Sequence, residues 1–150
     1  MSDVLTPCAG RVIPLREVPD AVFAAEMVGP GLAVDPDRDA TIVSAPVGGR
    51  LVKVHPHAFV ITREDGIAFL VHLGIDTVKL AGDGFQVLQQ EGVTVDAGVP
   101  VVRWDPAAIE AGGRSPVIPV CVLDAQAGSV TTDRDRAEVG ETLFAWPPHD

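Results

Sequence analysis

Glycine and proline divide the chain into short apolar segments. This frequent occurrence of turn-forming residues restricts the possible folds more than any other feature of the sequence. The 15 glycines and 13 prolines are spread along all 150 residues. Between them lie runs rich in β-branched residues, which we predict to be strands: 31–34, 41–43, 50–54, 58–62, 67–73, 99–104, 117–123 and 141–146. Many short strands separated by frequent turn signals are typical of an all-β sandwich or barrel.

Helical patterns are few and short. Residues 21–27, 85–91 and 106–111 are each predicted to form a turn or two, and Asp105 followed by Pro106 is a typical helix start. No linker or low-complexity segment divides the chain, whose length allows a sizeable core. The predicted fold is therefore one domain over residues 1–150, an all-β antiparallel sandwich or barrel-sandwich with a few short helical turns.

Two pairs of segments within the chain are similar to each other. Residues 7–13 (PCAGRVI) are similar to residues 46–52 (PVGGRLV). A glycine followed six positions later by tryptophan occurs at 98–104 and again at 140–146. Such paired turn-and-strand units predict two pseudo-equivalent halves packed as a sandwich.

The charge and composition argue against several classes of function. The formal net charge is −10 and lysine and arginine form no cluster, which disfavours binding to nucleic acid or to an anionic membrane surface. No apolar run approaches the roughly 20 residues needed to span a bilayer, and no signal peptide is visible. Cys8 and Cys121 fit no metal or redox spacing and are expected to be small buried hydrophobes. We therefore predict a cytoplasmic protein without direct membrane insertion.

Residues 57–72 (HAFVITREDGIAFLVH) predict a β-hairpin that carries a histidine at each end. Two β-branched and aromatic arms flank a polar turn that ends in glycine. With residues 63–66 as the turn, Thr62 pairs with Ile67, and His57 falls directly opposite His72. Opposed residues of an antiparallel pair share one face, with Cβ atoms about 4.5–5.5 Å apart. The sequence therefore predicts two neighbouring imidazoles, and a register slip of one residue would separate them.

The surroundings of this pair leave three chemical uses open. Both faces of residues 67–73 are largely apolar, so this strand is predicted to be central, and burial should keep at most one ring charged near neutral pH. One ring could act as a nucleophile while the other stabilises negative charge. Both could bind Zn²⁺, with Asp76 or Glu64 as a further ligand. The plainest alternative is two hydrogen-bonded histidines at a sheet edge.

Residues 70–80 (LVHLGIDTVKL) resemble the active-site signature of the glucose-type enzyme IIA domain of the bacterial phosphoenolpyruvate:sugar phosphotransferase system. Further segments resemble the same family in the same order along the chain: 18–24, 29–34, 45–49, 57–59, 82–85, 91–98, 116–120 and 139–142. Several ordered motifs at compatible spacing are far more specific than one short pattern. The family fold is an antiparallel β-sandwich.

The resemblance implies a phosphocarrier that needs no metal or other cofactor. His72 would accept a phosphoryl group, through Nε2, from phosphohistidine on the carrier protein HPr. It would pass the group to a cysteine on the IIB domain of a sugar permease. His57, which matches the histidine of the family's HAF motif, would donate a hydrogen bond to the phosphoryl oxygens. Binding of regulatory target proteins in the unphosphorylated state is a further implication of the resemblance.

The resemblance also implies residues for partner binding. Phe23 and Phe69 match phenylalanines of a hydrophobic depression that receives partner proteins, and Asp76 and Val78 would flank the site. For Phe69 and Val78 the alternative is an ordinary core position, and for Asp76 it is a turn residue. The chain departs from the family at His55, where a threonine is common. His55 is a candidate auxiliary residue beside His57, or else a solvent-facing loop histidine.

Two functions from other classes compete with the phosphocarrier. The first is a non-catalytic regulatory module that uses His57 and His72 for a metal-bridged contact with a protein. The second is a metal hydrolase on a β-sandwich. The hairpin offers no third histidine and no well-placed carboxylate, which argues against the hydrolase.

Overall fold

The computed structural model describes residues 3–132 and 134–147, and antiparallel strands dominate it. The strands in chain order are β1 (Asp3–Leu5), β2 (Gly10–Pro14), β3 (Gly31–Pro36), β4 (Ile42–Ser44), β5 (Gly49–His55), β6 (Ala58–Thr62), β7 (Ala68–His72), β8 (Gln86–Val87), β9 (Thr94–Val95), β10 (Pro100–Arg103), β11 (Ile118–Val122), β12 (Arg136–Ala137) and β13 (Thr142–Ala145). The helices are α1 (Ala21–Ala24) and α2 (Pro106–Ala111), and 3₁₀ turns cover Leu15–Glu17 and Thr77–Leu80. The prediction of an all-β antiparallel fold is confirmed.

The strands form one large sheet and two small ones. The large sheet has the order β12-β2-β3-β11-β7-β6-β5-β9, and the small sheets are β4-β10-β8 and β1-β13. Strand β7 lies between β11 and β6, which confirms the prediction of a central strand. The helix predicted at 85–91 is wrong. Gln86 and Val87 instead pair with β10, in a segment that glycines with positive φ bound on both sides. No helix among the described residues is long and apolar enough to cross a membrane.

The large sheet consists of two halves that repeat the same arrangement. One is the β2 half (β12, β2, β3, β11), and the other is the β5 half (β9, β5, β6, β7). The connections repeat as well: the Leu5 amide donates to the Pro46 carbonyl at 2.8 Å, and the Ser44 amide donates to the Pro7 carbonyl at 2.9 Å. Each bond runs from the residue two positions before one similar segment to the first residue of the other. The predicted equivalence of the two halves is thus confirmed, and the halves pair through β11 and β7 within the large sheet.

Two apolar clusters lie on opposite faces of the large sheet. The main core contains the largest fully buried side chains of β6 and β7, namely Phe59, Ile61, Phe69 and Val71. A smaller cluster uses the alternate positions of the same sheet, with Ile13, Ala33 and Cys121 beneath Leu15, Val18 and Phe23. Both cysteines are free and buried, as expected, and burial raises the pKa of each thiol to about 12.

The predicted register of the β6–β7 hairpin is wrong by one residue. Thr62 pairs with Ala68, and Ala58 pairs with His72. Ile67 belongs to the turn, where its carbonyl accepts from the Arg63 amide at 2.8 Å. Gly66 has φ +88° and its amide donates to the Arg63 carbonyl at 2.8 Å, so five residues (63–67) connect Thr62 to Ala68, one more than the predicted turn 63–66. His57 is therefore not the residue directly opposite His72.

Candidate active site

His72 ends the central strand β7 on the face of the smaller apolar cluster, and its ring is half buried. Its Nδ1 lies 2.6 Å from the carbonyl oxygen of Gly74. A carbonyl can only accept a hydrogen bond, so Nδ1 carries the proton of the neutral ring. Nε2 then keeps its lone pair, and the ring is fixed in the tautomer that leaves Nε2 as the nucleophile.

The loop after β7 is built to hold that carbonyl in place. Gly74 has φ +78°, and a Cβ there would lie 2.7 Å from Thr77 Cγ2 and 3.0 Å from the Ser115 carbonyl oxygen. The buried Thr77 hydroxyl donates to the Leu73 carbonyl at 2.6 Å. The Ile75 amide donates to the Ser115 carbonyl at 2.9 Å. The glycine and threonine that follow His72 are thus explained by backbone geometry, which in turn orients the imidazole.

His57 occupies the two-residue turn between β5 and β6, which His55 and Ala58 close as a pair. Its ring centroid lies 5.3 Å from that of His72, with the planes at 73°. The predicted proximity of the two imidazoles is therefore confirmed, although the register used to predict it was wrong. A turn residue does not follow the alternation of the strand, so its side chain can still point towards His72.

The environment lowers the pKa of both rings. For His57 the causes are burial first, then the like charges of His72 and His55. For His72 burial also dominates, and it is partly offset by the hydrogen bond to the Gly74 carbonyl and by negative charges on Asp20 and Asp76. Both rings are therefore neutral near pH 7, as a nucleophilic imidazole requires.

Phe23 covers His72 from the segment that connects β2 to β3. The ring centroids of Phe23 and His72 lie 5.3 Å apart, with the planes at 59°. Asp20 caps α1, where its carboxylate accepts from the amides of Val22 at 2.9 Å and Phe23 at 3.2 Å. Phe23 is only 7% exposed, whereas Val22 is 46% exposed. Phe23 thus contacts the imidazole directly, whereas its neighbour Val22 is an exposed apolar side chain on α1.

Asp20 is a site residue that the sequence reasoning missed. Its carboxylate fixes the helix that carries Phe23, and its charge acts on His72. The available signal was an aspartate directly before the predicted helical segment 21–27, the usual position of an N-cap.

The predicted partner contact at Phe69 is wrong. Its side chain is fully buried in the main core, on the face of β7 opposite to His72. The Arg63 guanidinium carbon lies 5.3 Å from the centroid of the Phe69 ring. Strand alternation from His72 separates the two side chains, so the alternative of an ordinary core residue is the correct one.

Asp76 and Val78 lie at the surface in the segment that follows β7. Asp76 is exposed, has φ 61° and precedes the 3₁₀ turn Thr77–Leu80, as the alternative of a turn residue requires. Val78 is 56% exposed, which rules out a core position. Val22 and Val78 are thus exposed apolar side chains in the two segments that carry Phe23 and Asp76.

His55 is exposed at the end of β5 and belongs to the same cluster of rings. Its ring centroid lies 5.7 Å from that of His57, with the planes at 25°. Within the described ranges, no group of three or more histidine, cysteine, aspartate or glutamate residues is placed to hold a metal ion. A metal bridge at His57 and His72 would thus need a ligand from another molecule.

Two surface depressions in the described part of the chain lie away from these histidines. The larger is at the opposite end of the β5–β6 pair, where Arg50, Thr62 and Asp96 contribute to its lining. Enclosed pockets suit small molecules. An open surface with a nucleophilic imidazole is instead suited to a reacting group that another protein presents.

Comparisons with known proteins show the family of the chain. The family model for the phosphoenolpyruvate-dependent sugar phosphotransferase system, EIIA 1, matches residues 2–127. The chain is 34% identical to the glucose-specific EIIA component of Staphylococcus aureus, over 93% of this chain and 85% of that protein. A solved structure, glucose permease IIA from Mycoplasma capricolum, has a TM-score of 0.85 and 34% identity, covering 95% of this chain and 93% of the other.

Two multidomain proteins are also similar to the chain. The N-acetylglucosamine-specific EIICBA component of Escherichia coli is 38% identical over 95% of this chain. The glucose-specific EIIBCA component of Corynebacterium glutamicum is 37% identical over 82% of it. The matches cover 22% and 18% of those proteins, so the chain spans about a fifth of their length.

Proposed function

The chain belongs to the EIIA 1 family of the phosphoenolpyruvate-dependent sugar phosphotransferase system, and on that basis we propose that His72 is its phosphoryl acceptor. The proposed donor is phosphohistidine on HPr, and the proposed acceptor is a cysteine on the IIB domain of a sugar permease. Two relatives are named EIIBCA and EIICBA components, which supports a permease B part as the partner. Both exchanges are proposed to take place in the cytoplasm.

The hydrogen bond between His72 Nδ1 and the Gly74 carbonyl is the observation that carries this proposal. It selects the tautomer with a free Nε2 lone pair, and the lowered pKa of His72 keeps that lone pair available near neutral pH. In the acceptance step, this lone pair attacks phosphorus. A P–Nε2 bond forms while the P–N bond of the donor phosphohistidine breaks.

The proton balance of the transfer is simple in this geometry. The Nδ1 proton of His72 stays in its hydrogen bond, so the phosphorylated ring becomes an imidazolium. The donor ring, phosphorylated in the same cationic form, leaves as a neutral imidazole. In the second step a cysteine thiolate attacks phosphorus, the P–Nε2 bond breaks and His72 returns to its neutral form. Phosphoryl transfer mainly requires positioning and charge stabilisation, and fixed side chains can supply both.

His57 is proposed to stabilise the phosphoryl group on His72. A neutral imidazole carries one N–H, and the edge-on arrangement of the two rings at 5.3 Å allows it to donate to a phosphoryl oxygen. The negative charge that develops on those oxygens is then met by a group already in place.

The surroundings of His72 support a protein partner. Val22, next to Phe23 on α1, and Val78, in the 3₁₀ turn that follows the His72 loop, are exposed apolar side chains. The net charge of −10 favours association with a basic partner surface and raises the rate of encounter. No contact in the described residues favours the metal-bridged module over the phosphocarrier.

Acceptance of phosphate from phospho-HPr tests the proposal. The wild-type domain and the His72→Gln variant are incubated with phospho-HPr, and incorporation is measured as acid-labile phosphate. We expect incorporation in the wild type and none in the variant, with similar thermal unfolding in both. Labelling of the variant at the wild-type level would overturn the assignment of His72.

A further inference from the structure

A third imidazole, His55, stacks on His57, and the proposed function gives it no role. The two ring centroids lie 5.7 Å apart and the planes differ by 25°. We propose that His55 is a positioning residue, which holds the His57 ring edge-on to His72 for onward phosphoryl transfer. This inference rests on the proposed function, because His57 must act on a phosphoryl group carried by His72.

The two histidines of the site are held in different ways. The ring of His72 is fixed by its hydrogen bond to the Gly74 carbonyl and by contact with the Phe23 ring. His57 lies in a two-residue turn at the surface, where its ring lies between those of His55 and His72. A turn side chain free to change rotamer loses entropy whenever it must hold one orientation. A stacked neighbour reduces that cost before the phosphoryl group arrives.

The backbone places His55 for this task. His55 and Ala58 form the last pair of the β5–β6 hairpin, so the turn that carries His57 begins directly after His55. The preceding residue is tied down too, because the Val54 amide donates to Glu91 Oε1 at 3.0 Å. His55 is exposed, so its ring contributes little to the core, and its replacement should leave the fold intact.

Stacking also couples the charges of the rings. His55 lies on β5 and His72 on β7. Both lower the pKa of His57, each by less than burial does. Carboxylates act on His72 from α1 through Asp20 and from the loop after β7 through Asp76. A proton on His55 therefore disfavours a second proton on His57. Removal of the His55 ring should raise the pKa of His57 as well as loosen its ring.

Two substitutions separate stacking from charge. His55→Phe keeps an aromatic ring that cannot be protonated, whereas His55→Ala removes both the ring and the titratable group. Arg50→Ala is the matched control, because Arg50 is exposed on the same strand at the end away from the histidines. Each variant is assayed for acceptance from phospho-HPr and for onward transfer to a IIB domain. The pKa and the side-chain order parameter of His57 are measured by NMR in the unphosphorylated protein.

We expect all variants still to accept phosphate from phospho-HPr, because His72 and its hydrogen bond to Gly74 are unchanged. His55→Ala should slow onward transfer roughly tenfold, because a misoriented group loses much of its contribution to the transition state. His55→Phe should restore most of that rate and the order parameter of His57. Both changes at His55 should raise the pKa of His57, and Arg50→Ala should change none of these quantities.

Full onward transfer by His55→Ala would overturn the inference, and so would an equal loss in His55→Phe. An unchanged order parameter of His57 in His55→Ala would also overturn it. If the wild type accepts no phosphate, the proposed function fails instead, and the NMR measurements on the free protein still decide whether His55 orders His57.

Discussion

The β2 half and the β5 half of the large sheet share one topology but differ at the end where the histidines lie. In the β5 half, β5 and β6 are joined by a two-residue turn that carries His57. In the β2 half, the equivalent strands β2 and β3 are joined by residues 15–30, which form α1 and carry Phe23. The ring centroids of His57 and Phe23 each lie 5.3 Å from that of His72.

The comparison shows that the strands shared by the two halves form the scaffold, whereas the connections that differ between the halves carry the site residues. Gly10 and Gly49 occupy equivalent positions in the two similar segments, and a Cβ at either would collide with a carbonyl oxygen, of Asp35 or Thr62 respectively. This requirement is common to both halves. Asp20, Phe23 and His57 have no such shared role, since they lie in the two connections that differ.

Substitution of the equivalent glycines should have the largest effect and tests whether the halves are equivalent. Gly10→Ala and Gly49→Ala each force a methyl group against backbone, which cannot move aside cheaply. We expect each to lower the free energy of unfolding by about 3 kcal/mol or more, measured by denaturant titration. Gly66→Ala is the control: its φ is +88° but nothing lies within 4 Å, so about 1–2 kcal/mol is expected. Tolerance of the change in one half alone would contradict the comparison.

Gly74→Ala should affect the site more than the scaffold. The added methyl group would press on Thr77 Cγ2 and Ser115 and shift the carbonyl that orients His72. We expect a loss of about 2 kcal/mol in unfolding free energy together with a strong fall in phosphate acceptance. The stability-matched variant Gly66→Ala should keep its acceptance. Equal acceptance by the two variants would show that the Gly74 carbonyl does not orient the imidazole.

Substitution of the N-cap residues of α1 and α2 should have a smaller effect on stability than the glycine substitutions. Asp20 caps α1, and Asp105 caps α2 by accepting from the amides of Ala107 and Ala108 at 3.1 and 3.2 Å. Replacement of either by alanine should cost about 1 kcal/mol of stability. Only Asp20→Ala should lower the pKa of His72 further, as followed by NMR titration, because it removes a nearby negative charge. The same shift in Asp105→Ala would argue against a local effect.

The pH dependence of stability should show the smallest effect. Burial lowers the pKa of His72 below 6.5 in the folded chain, so the unfolded chain binds more protons on acidification. The contribution of the neutral buried ring is complete above about pH 6.5 and decreases as the pH falls below it. His72→Gln should therefore weaken the loss of stability between pH 7 and 5, in denaturant titrations at each pH. An unchanged slope would contradict the lowered pKa.

The sequence was sufficient for most of the strands and for the repeat. Every predicted strand is present, because runs of β-branched residues between glycines and prolines leave little choice of structure. Five strands were not predicted: β1, β2 and the two-residue strands β8, β9 and β12. Two residues carry too little pattern, and their pairing depends on distant partners.

The register of the β6–β7 hairpin was harder to predict from the sequence than the positions of its strands. It depends on whether Ile67 belongs to the strand or to the turn, and the left-handed conformation of Gly66 decides this. In the predicted register, Phe59 and Ile61 would share a face of the sheet with His72. In the structure they lie on the opposite face, in the main core. The proximity of His57 to His72 survived because His57 lies in a turn.

The site was predictable as a pair of rings but not as a set of contacts. The resemblance indicated His72 and His57, and the structure adds the Gly74 carbonyl that selects the tautomer of His72. Phe69 could not be assigned from its motif, because sequence similarity does not tell which face of a central strand meets the partner. Asp20 lies in the connection of the β2 half and its charge acts on His72 in the β5 half, a relation that local sequence patterns do not reveal.

The identity of the phosphorylated ring nitrogen tests the central claim most directly. The domain, labelled with ¹⁵N at histidine, is phosphorylated by phospho-HPr and its imidazole resonances are recorded by NMR. The predicted result is phosphorus bonded to Nε2 of His72, with the proton retained on Nδ1. Phosphorylation at Nδ1 of His72, or at His57 or His55 instead, would contradict the account.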